Sequence, residues 1–187
     1  MWVCSTNLGV LSKPHAAAPE PVSEVACSIG EFSEKRGALT KGRTSRCSVP
    51  RDEPMRWLEY QDDESPEELA VLRWLLSLSE VDQELVIGRI QGLRELAALG
   101  EIEDGDGEQL KPVRLDPDLW ELRWNELGTL LRQYHGEPSV LPDSLVNLHM
   151  HVKRITPSRR QTDALQDQRI SFAFMRYRAG ERKSWTP

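Results

Sequence analysis

The sequence LWELRWNELGTLLRQYH, residues 119–135, decides the fold of this chain. Its first six residues alternate tryptophan and leucine with Glu121 and Arg123, which is the two-residue period of a β-strand. Asn125–Gly128 is predicted to turn the chain, and a second alternation follows over Thr129–His135. The stretch therefore predicts a β-hairpin.

The sequence SLVNLHMHVKR, residues 144–154, predicts a third strand over Leu145–Lys153. Its apolar residues alternate with polar ones, so that Val146, Leu148, Met150 and Val152 oppose Asn147, His149, His151 and Lys153. Each of the three strands thus carries a cation or an imidazole on the face opposite its apolar residues. We expect five such side chains to converge on one surface of the sheet: Arg123, Arg132, His149, His151 and Lys153.

Helices are predicted before and after these strands. Ser65 is followed by proline and two glutamates, so Ser65 and Glu68 can form a capping box at the start of a first helix. Ser79 can cap a second helix, which Gly100 ends. The two helices are expected to lie antiparallel, joined by a tight turn. A third amphipathic helix is predicted over residues 156–177.

Two shorter segments complete the predicted sheet. Arg56–Tyr60 alternates briefly and favours a first strand. Leu110–Leu115 is expected at an edge, because the proline within it has no backbone N–H to donate to a neighbouring strand. The fold class is therefore α+β, with a small antiparallel sheet packed by an N-terminal helical hairpin and a C-terminal helix.

The organised part of the chain is predicted to span residues 55–180. Residues 1–54 show no helical or strand period and are rich in serine, proline and alanine, which predicts a disordered or non-native extension. Translation from Met55 is an open alternative. Residues 181–187 are expected to form a flexible tail.

Charge is segregated along the chain. Residues 55–110 carry 4 Arg/Lys against 15 Asp/Glu, a net charge of −11, whereas residues 111–187 carry 13 against 9, a net charge of +4. An acidic first half beside a basic second half predicts a surface that admits nucleic acid on one face.

A cytoplasmic protein is expected from three sequence features. No apolar run approaches the ~20 residues that a membrane-spanning helix needs. The only early lysine, Lys13, follows the short apolar run that it would precede in a signal peptide. The cysteines at positions 4, 27 and 47 are odd in number and widely spaced, which disfavours a disulfide framework or a zinc knuckle.

The basic strand residues fit phosphate chemistry better than metal chemistry. Cleavage of RNA by its own 2′-hydroxyl needs a base, an acid and positive charge on the developing phosphorane. Arg123, Arg132 and Lys153 supply positive charge, and His149 or His151 has an ordinary pKa suited to proton transfer. The two histidines have a spacing that metals use, but a third ligand is not evident, so no metal and no cofactor are predicted.

The run from Ala70 to the end of the chain resembles the phage-derived, HigB-like branch of the RelE-type toxins. The resemblance lies in the order of ELAALG, KPVRL, LWELRW, LLRQYH, LHMHVKR and TPSRRQTDALQDQR. It implies a small sheet packed by helices, ribosome-dependent mRNA cleavage without a metal, and neutralisation by a cognate helix-turn-helix antitoxin. No membrane and no small-molecule cofactor are implied.

The resemblance also implies roles for individual residues. Arg123 and Arg132 match phosphate-binding basic positions of the family, and Lys153 with Arg154 matches its lysine-rich motif after the third strand. Further RNA contacts are expected from basic residues that open the last helix, Arg159 and Arg160. Glu121 departs from the family, whose better-known members carry a base there.

Two functions from different classes remain open on these residues. The first is a toxin that cleaves mRNA on the ribosome. The second is a non-catalytic protein-binding relative, either a gyrase-inhibitor-like protein or a phage remnant that only pairs with its antitoxin.

Overall fold

A computed structural model describes residues 44–60, 65–103 and 109–185 as an α+β fold. A 3-10 turn at Arg46–Ser48 comes first, followed by β1 (Arg56–Glu59), α1 (Pro66–Leu76), α2 (Glu80–Leu99), β2 (Leu110–Pro112), β3 (Leu119–Glu126), β4 (Thr129–Gly136), β5 (Ser144–Val152) and α3 (Arg159–Arg182). The predicted hairpin and the third strand are confirmed. So is the capping box, in which Ser65 accepts from the backbone N–H of Glu68 and Glu68 accepts from that of Ser65.

The five strands form one mixed sheet in the order β1-β5-β4-β3-β2. The predicted meander is antiparallel from β2 to β5, but β1 pairs in parallel with β5, where Trp57 lies beside Leu145. The prediction of a purely antiparallel sheet was therefore wrong. The whole helical segment separates β1 from the meander, and such a crossover allows a strand to return in the same direction.

The helices lie on different sides of the sheet. On one face, Trp57 and Trp124 donate their indole N–H groups to carbonyl oxygens of α2, those of Arg94 at 3.0 Å and Arg89 at 3.4 Å. The other face is packed by α3, through Ala173 and neighbouring residues. The main neighbour of α1 is β5 rather than α2. The expected packing of α1 and α2 as a hairpin on one face is thus not confirmed.

A bulge in β5 divides its apolar residues between the two faces. Tyr134 of β4 pairs with His149 and His135 pairs with Asn147, which leaves Leu148 as the extra residue. Val146 and Leu148 accordingly pack on the α3 side, whereas Met150 and Val152 pack on the α2 side. The uniform alternation predicted for this strand was wrong, because a bulge shifts the side-chain period by one residue.

Residues 44–54 belong to the folded domain, contrary to the boundary predicted at residue 55. The Cys47 side chain is fully buried, and its carbonyl accepts from the N–H of Ile102 at 3.0 Å. The Arg46 guanidinium donates to the carbonyls of Leu141, Pro142 and Ser144 at 2.9, 2.5 and 3.1 Å. The packing of this segment was not predicted, because its apolar residues show neither a helical nor a strand period. The expectation of disorder for residues 1–43 lies outside the described residues.

The chain end also packs where a flexible tail was expected from residue 181. The helix α3 continues to Arg182, and the Trp185 ring lies 5.2 Å from that of Tyr177. A Cβ on Gly180 would meet the Trp185 ring at 2.2 Å, so glycine is needed for this contact. Residues 186 and 187 lie outside the described ranges. None of the helices described is long and apolar enough to span a bilayer.

Candidate functional site

Four adjacent strands bring basic side chains together on the α3 side of the sheet. Lys111 on β2 lies across from Glu121 on β3, and Arg123 on β3 lies across from Arg132 on β4. Lys153 continues β5, since its N–H donates to the carbonyl of Leu130 at 2.7 Å. The predicted convergence of the basic strand residues is confirmed. We call Lys111, Arg123, Arg132 and Lys153 the cationic cluster.

Glu121 is the carboxylate at the centre of the cationic cluster. It is only 3 % exposed. Arg123 contacts its Oε2 with both Nε and Nη2 at 3.1 Å, and the Nε of Arg132 lies 3.3 Å from its Oε1. The Nη1 of Arg132 also donates to the carbonyls of Leu131 at 2.6 Å and Trp124 at 3.1 Å. These contacts fix both guanidinium groups against the sheet.

The positive charges of the cluster act on one another. Partial burial lowers the pKa of Lys153, and the nearby Arg132 and Arg123 lower it further. Partial burial and Arg123 likewise lower the pKa of Lys111, and burial lowers that of Arg132. Glu121 opposes these shifts but balances only one of four charges. Binding of an anion such as phosphate to the cluster is therefore favourable, because it offsets the repulsion between the positive charges.

The two histidines of the predicted site lie beside the cluster but under α3. His149 is fully buried and His151 is 3 % exposed. The ring of His149 lies 5.4 Å from that of His151 and 5.0 Å from that of Phe172 on α3. Burial, with His149 and Arg169 nearby, lowers the pKa of His151 to about 3. His151 is therefore neutral at physiological pH. Both imidazole rings are shielded from solvent by α3, although they lie on the predicted face of the sheet.

A cleft of about 360 Å³ lies between the start of α1, the end of β5 and the first half of α3. Its basic lining residues are Arg73, Lys153, Arg154 and Arg169, and Glu67 is the acidic one. Arg159 and Arg160 are exposed on the first turn of α3, where Arg159 lies 3.7 Å from Asp163 on the same helix. Thus Lys153 belongs to both the cleft and the cationic cluster.

Sequence reasoning missed Lys111 and the buried ion pair of Arg176. Lys111 was detectable, since an edge strand that pairs with β3 places alternate residues on the face of Glu121. The Arg176 guanidinium donates to Glu68 Oε1 at 2.6 Å and to the Leu148 carbonyl at 2.5 Å, which joins α3, α1 and β5. His149 Nδ1 lies 3.3 Å from the same Glu68 oxygen. That network depends on tertiary packing, for which the sequence carries no local signal.

A second group of chemically active side chains lies on the α2 side of the sheet. Cys47, His135 and Glu137 are all buried and in mutual contact. Cys47 was expected to lie outside the folded part, so this contact between a cysteine and a histidine was not predicted. The side chain of His135 lies on the α2 face of the sheet, whereas those of His149 and His151 lie on the α3 face.

The chain has no match among protein-family models, curated proteins or solved structures.

Proposed function

We propose that this chain is the toxin of a type II toxin–antitoxin system, a RelE-like cytoplasmic endoribonuclease that cleaves mRNA on the ribosome without a metal. The observation that carries the proposal is the cationic cluster, in which four basic side chains surround one buried carboxylate on one sheet face. Such a face suits the backbone of RNA, because phosphate contacts provide most of the affinity and need no base-specific partner.

The residues of the cluster have complementary parts in this reaction. Arg123 and Arg132 are held in place by Glu121 and stabilise the charge of the phosphorane. Lys153, with its lowered pKa, is suited to move a proton to or from a ribose oxygen, and Lys111 has the same property. His151 lies next in the row and lines the cleft beside Lys153, although it is only 3 % exposed.

The surroundings of the cluster are consistent with RNA and antitoxin as partners. Arg154, Arg159 and Arg160 extend positive charge from the end of β5 to the start of α3. RNA threaded along this side meets basic residues before it reaches the cluster. A cognate helix-turn-helix antitoxin neutralises the toxin by covering the same face.

Induced expression of the full chain tests the proposal. We expect growth arrest and transcripts cut within open reading frames. Arg123→Ala and Lys153→Ala should relieve both effects, while Arg94→Ala on α2 should not. Arg94 is a suitable control because it pairs with Glu59 of β1 at 2.6 Å and lies over the Trp57 ring on the α2 side. Normal growth with intact transcripts, at confirmed levels of folded protein, would refute the proposal.

A non-catalytic protein-binding function is the second candidate. Two observations favour it: Glu121 already pairs with both arginines, and the first two helices carry exposed apolar side chains. Those side chains are Leu69, Leu72, Leu76, Val81, Leu85, Ile87 and Leu96. A gyrase-inhibitor-like protein or a phage remnant would act through such a surface.

The two candidates respond differently to substitution. For the binding function, Lys153→Ala leaves mRNA unchanged, whereas Leu72→Asp together with Leu76→Asp removes a partner that is captured with or without ribosomes. For the nuclease, Lys153→Ala abolishes cleavage. Crosslinking in cells followed by mass spectrometry and transcript mapping distinguishes these outcomes.

A further inference from the structure

Cys47, His135 and Glu137 form a buried cluster that the proposed RNA chemistry does not use. Cys47 comes from the 3-10 turn, His135 from the end of β4, and Glu137 directly follows β4. Their exposed fractions are 0, 0 and 8 %. Three side chains with nitrogen, sulfur and oxygen donors are thus brought together from positions nearly 90 residues apart, away from bulk water.

The donor atoms form a nearly equilateral triangle. Cys47 Sγ lies 3.4 Å from His135 Nε2 and 3.5 Å from Glu137 Oε1, and Nε2 lies 3.4 Å from Oε1. A tetrahedral zinc ion has ligands at about 2.0–2.3 Å, which sets the ligand-to-ligand distances at about 3.4–3.6 Å. We propose that these three residues bind a divalent zinc ion.

Hydrogen bonding accounts less well for this geometry. Read as hydrogen bonds, the thiol of Cys47 and Nε2 of His135 are both directed at Oε1 of Glu137. That oxygen already accepts from the hydroxyl of Ser45, so three donors would crowd one acceptor atom that has two lone pairs. A catalytic relay would have the carboxylate on Nδ1 instead, yet Nδ1 of His135 is buried without a hydrogen-bond partner among the described residues. A cation between the three donors satisfies all of them at once.

Charge and neighbouring contacts also suit zinc. Binding releases the thiol proton of Cys47 to solvent, so one thiolate and one carboxylate balance the two charges of the ion. Glu137 is oriented by its second oxygen, Oε2, which accepts from the backbone N–H of Arg46 at 2.9 Å. The hydroxyl of Ser45 donates to Oε1 of Glu137. These contacts hold the carboxylate in the direction that a metal ligand requires.

Three protein ligands leave one tetrahedral position for a water molecule. Because His135 faces Trp57 on the α2 side, with ring centroids 5.5 Å apart, the ion lies on the opposite face from the cationic cluster. It takes no part in the proposed RNA cleavage. Its effect is to fasten the segment around Cys47 to the end of β4.

Metal analysis of the purified full chain tests this site. We expect one equivalent of zinc per chain, a higher Tm with zinc than after chelation, and a thiolate-to-metal charge-transfer band when cobalt(II) replaces zinc. The control Cys4→Ser/Cys27→Ser retains all three properties, since it keeps Cys47. Cys47→Ser loses the band, and Glu137→Gln lowers zinc affinity about tenfold or more.

Two results would overturn the zinc site. One is a folded wild-type chain that takes up no zinc or cobalt(II) after reduction of its thiols. The other is an unchanged cobalt spectrum in Cys47→Ser, which would assign the thiolate to another cysteine. Wild-type uptake decides the question even if a variant fails to fold, and none of these readouts depends on RNA cleavage.

Discussion

Replacement of Glu121 by glutamine should weaken the fold and strengthen RNA binding at the same time. Glu121 contacts Arg123 at 3.1 Å and Arg132 at 3.3 Å, and its side chain is almost fully buried. Each pair is worth up to about 4 kcal/mol at an effective dielectric constant of 20. Desolvation of the carboxylate offsets part of this. Removal of one partner from a buried pair typically costs about 3–5 kcal/mol, because the remaining charges are left uncompensated.

The same substitution changes the charge that RNA meets. Four basic groups surround one carboxylate, so the net charge of the site rises by one when Glu121 becomes neutral. The N–H groups of Arg123 and Arg132 that contacted Glu121 can then donate to phosphate. We expect about tenfold tighter binding of single-stranded RNA, equivalent to about 1.4 kcal/mol. The logarithmic salt dependence should steepen by about 0.7 for one additional phosphate contact.

Thermal denaturation and fluorescence anisotropy with labelled RNA at several salt concentrations measure the two effects. The matched control is Glu59→Gln, which removes the same charge from the pair with Arg94 on β1, a strand that carries no residue of the cationic cluster. RNA affinity that is unchanged in Glu121→Gln would refute the reasoning. Equal tightening in Glu59→Gln would also refute it, since overall charge alone would then explain binding.

Three further predictions concern the fold. A chain that starts at Met55 should be less stable than one that lacks only residues 1–43, by about 3–5 kcal/mol in denaturant unfolding, because it loses the buried Cys47 and its neighbours; equal stability would contradict this. Arg176→Met should cost about 3–5 kcal/mol, since it leaves Glu68 without its 2.6 Å partner, and an unchanged denaturation midpoint would exclude the buried pair as a stabilising contact. In the folded chain the pKa of His151 is lowered to about 3. Below the ordinary pKa of histidine, near 6.5, the unfolded chain therefore binds one more proton than the folded chain. The free energy of unfolding should decrease as the pH is lowered, by about 2 kcal/mol from pH 6.5 to pH 5. His151→Gln should remove that part of the loss, and parallel stability curves would contradict the assignment.

Local patterns predicted the elements of this fold well. The two-residue alternation around Trp120 and the capping residues Ser65 and Ser79 specify their elements through contacts within a few residues. The αL conformation of Gly100, at φ +71°, likewise follows from the absence of a Cβ. Interactions of this range are visible in sequence, so these helix ends and strands were predicted correctly.

Features set by distant contacts were not predictable in the same way. Parallel pairing of β1 with β5, the bulge at Leu148 and burial of Cys47 each depend on segments far apart in the chain. The cationic cluster was predictable in part. Alternation predicted the face of Arg123 and Arg132, whereas burial of His149 under α3 required the position of a helix that no period specifies.

The most direct test of the central claim is cleavage of mRNA by the purified full chain on programmed ribosomes. Primer extension should show new 5′ ends within the ribosome-bound codons, absent with naked mRNA and absent for Lys153→Ala. Cleavage should depend on the cationic cluster, so Arg94→Ala, which removes a positive charge from the pair with Glu59, should remain active. Intact mRNA on ribosomes saturated with folded wild-type chain would contradict the nuclease function.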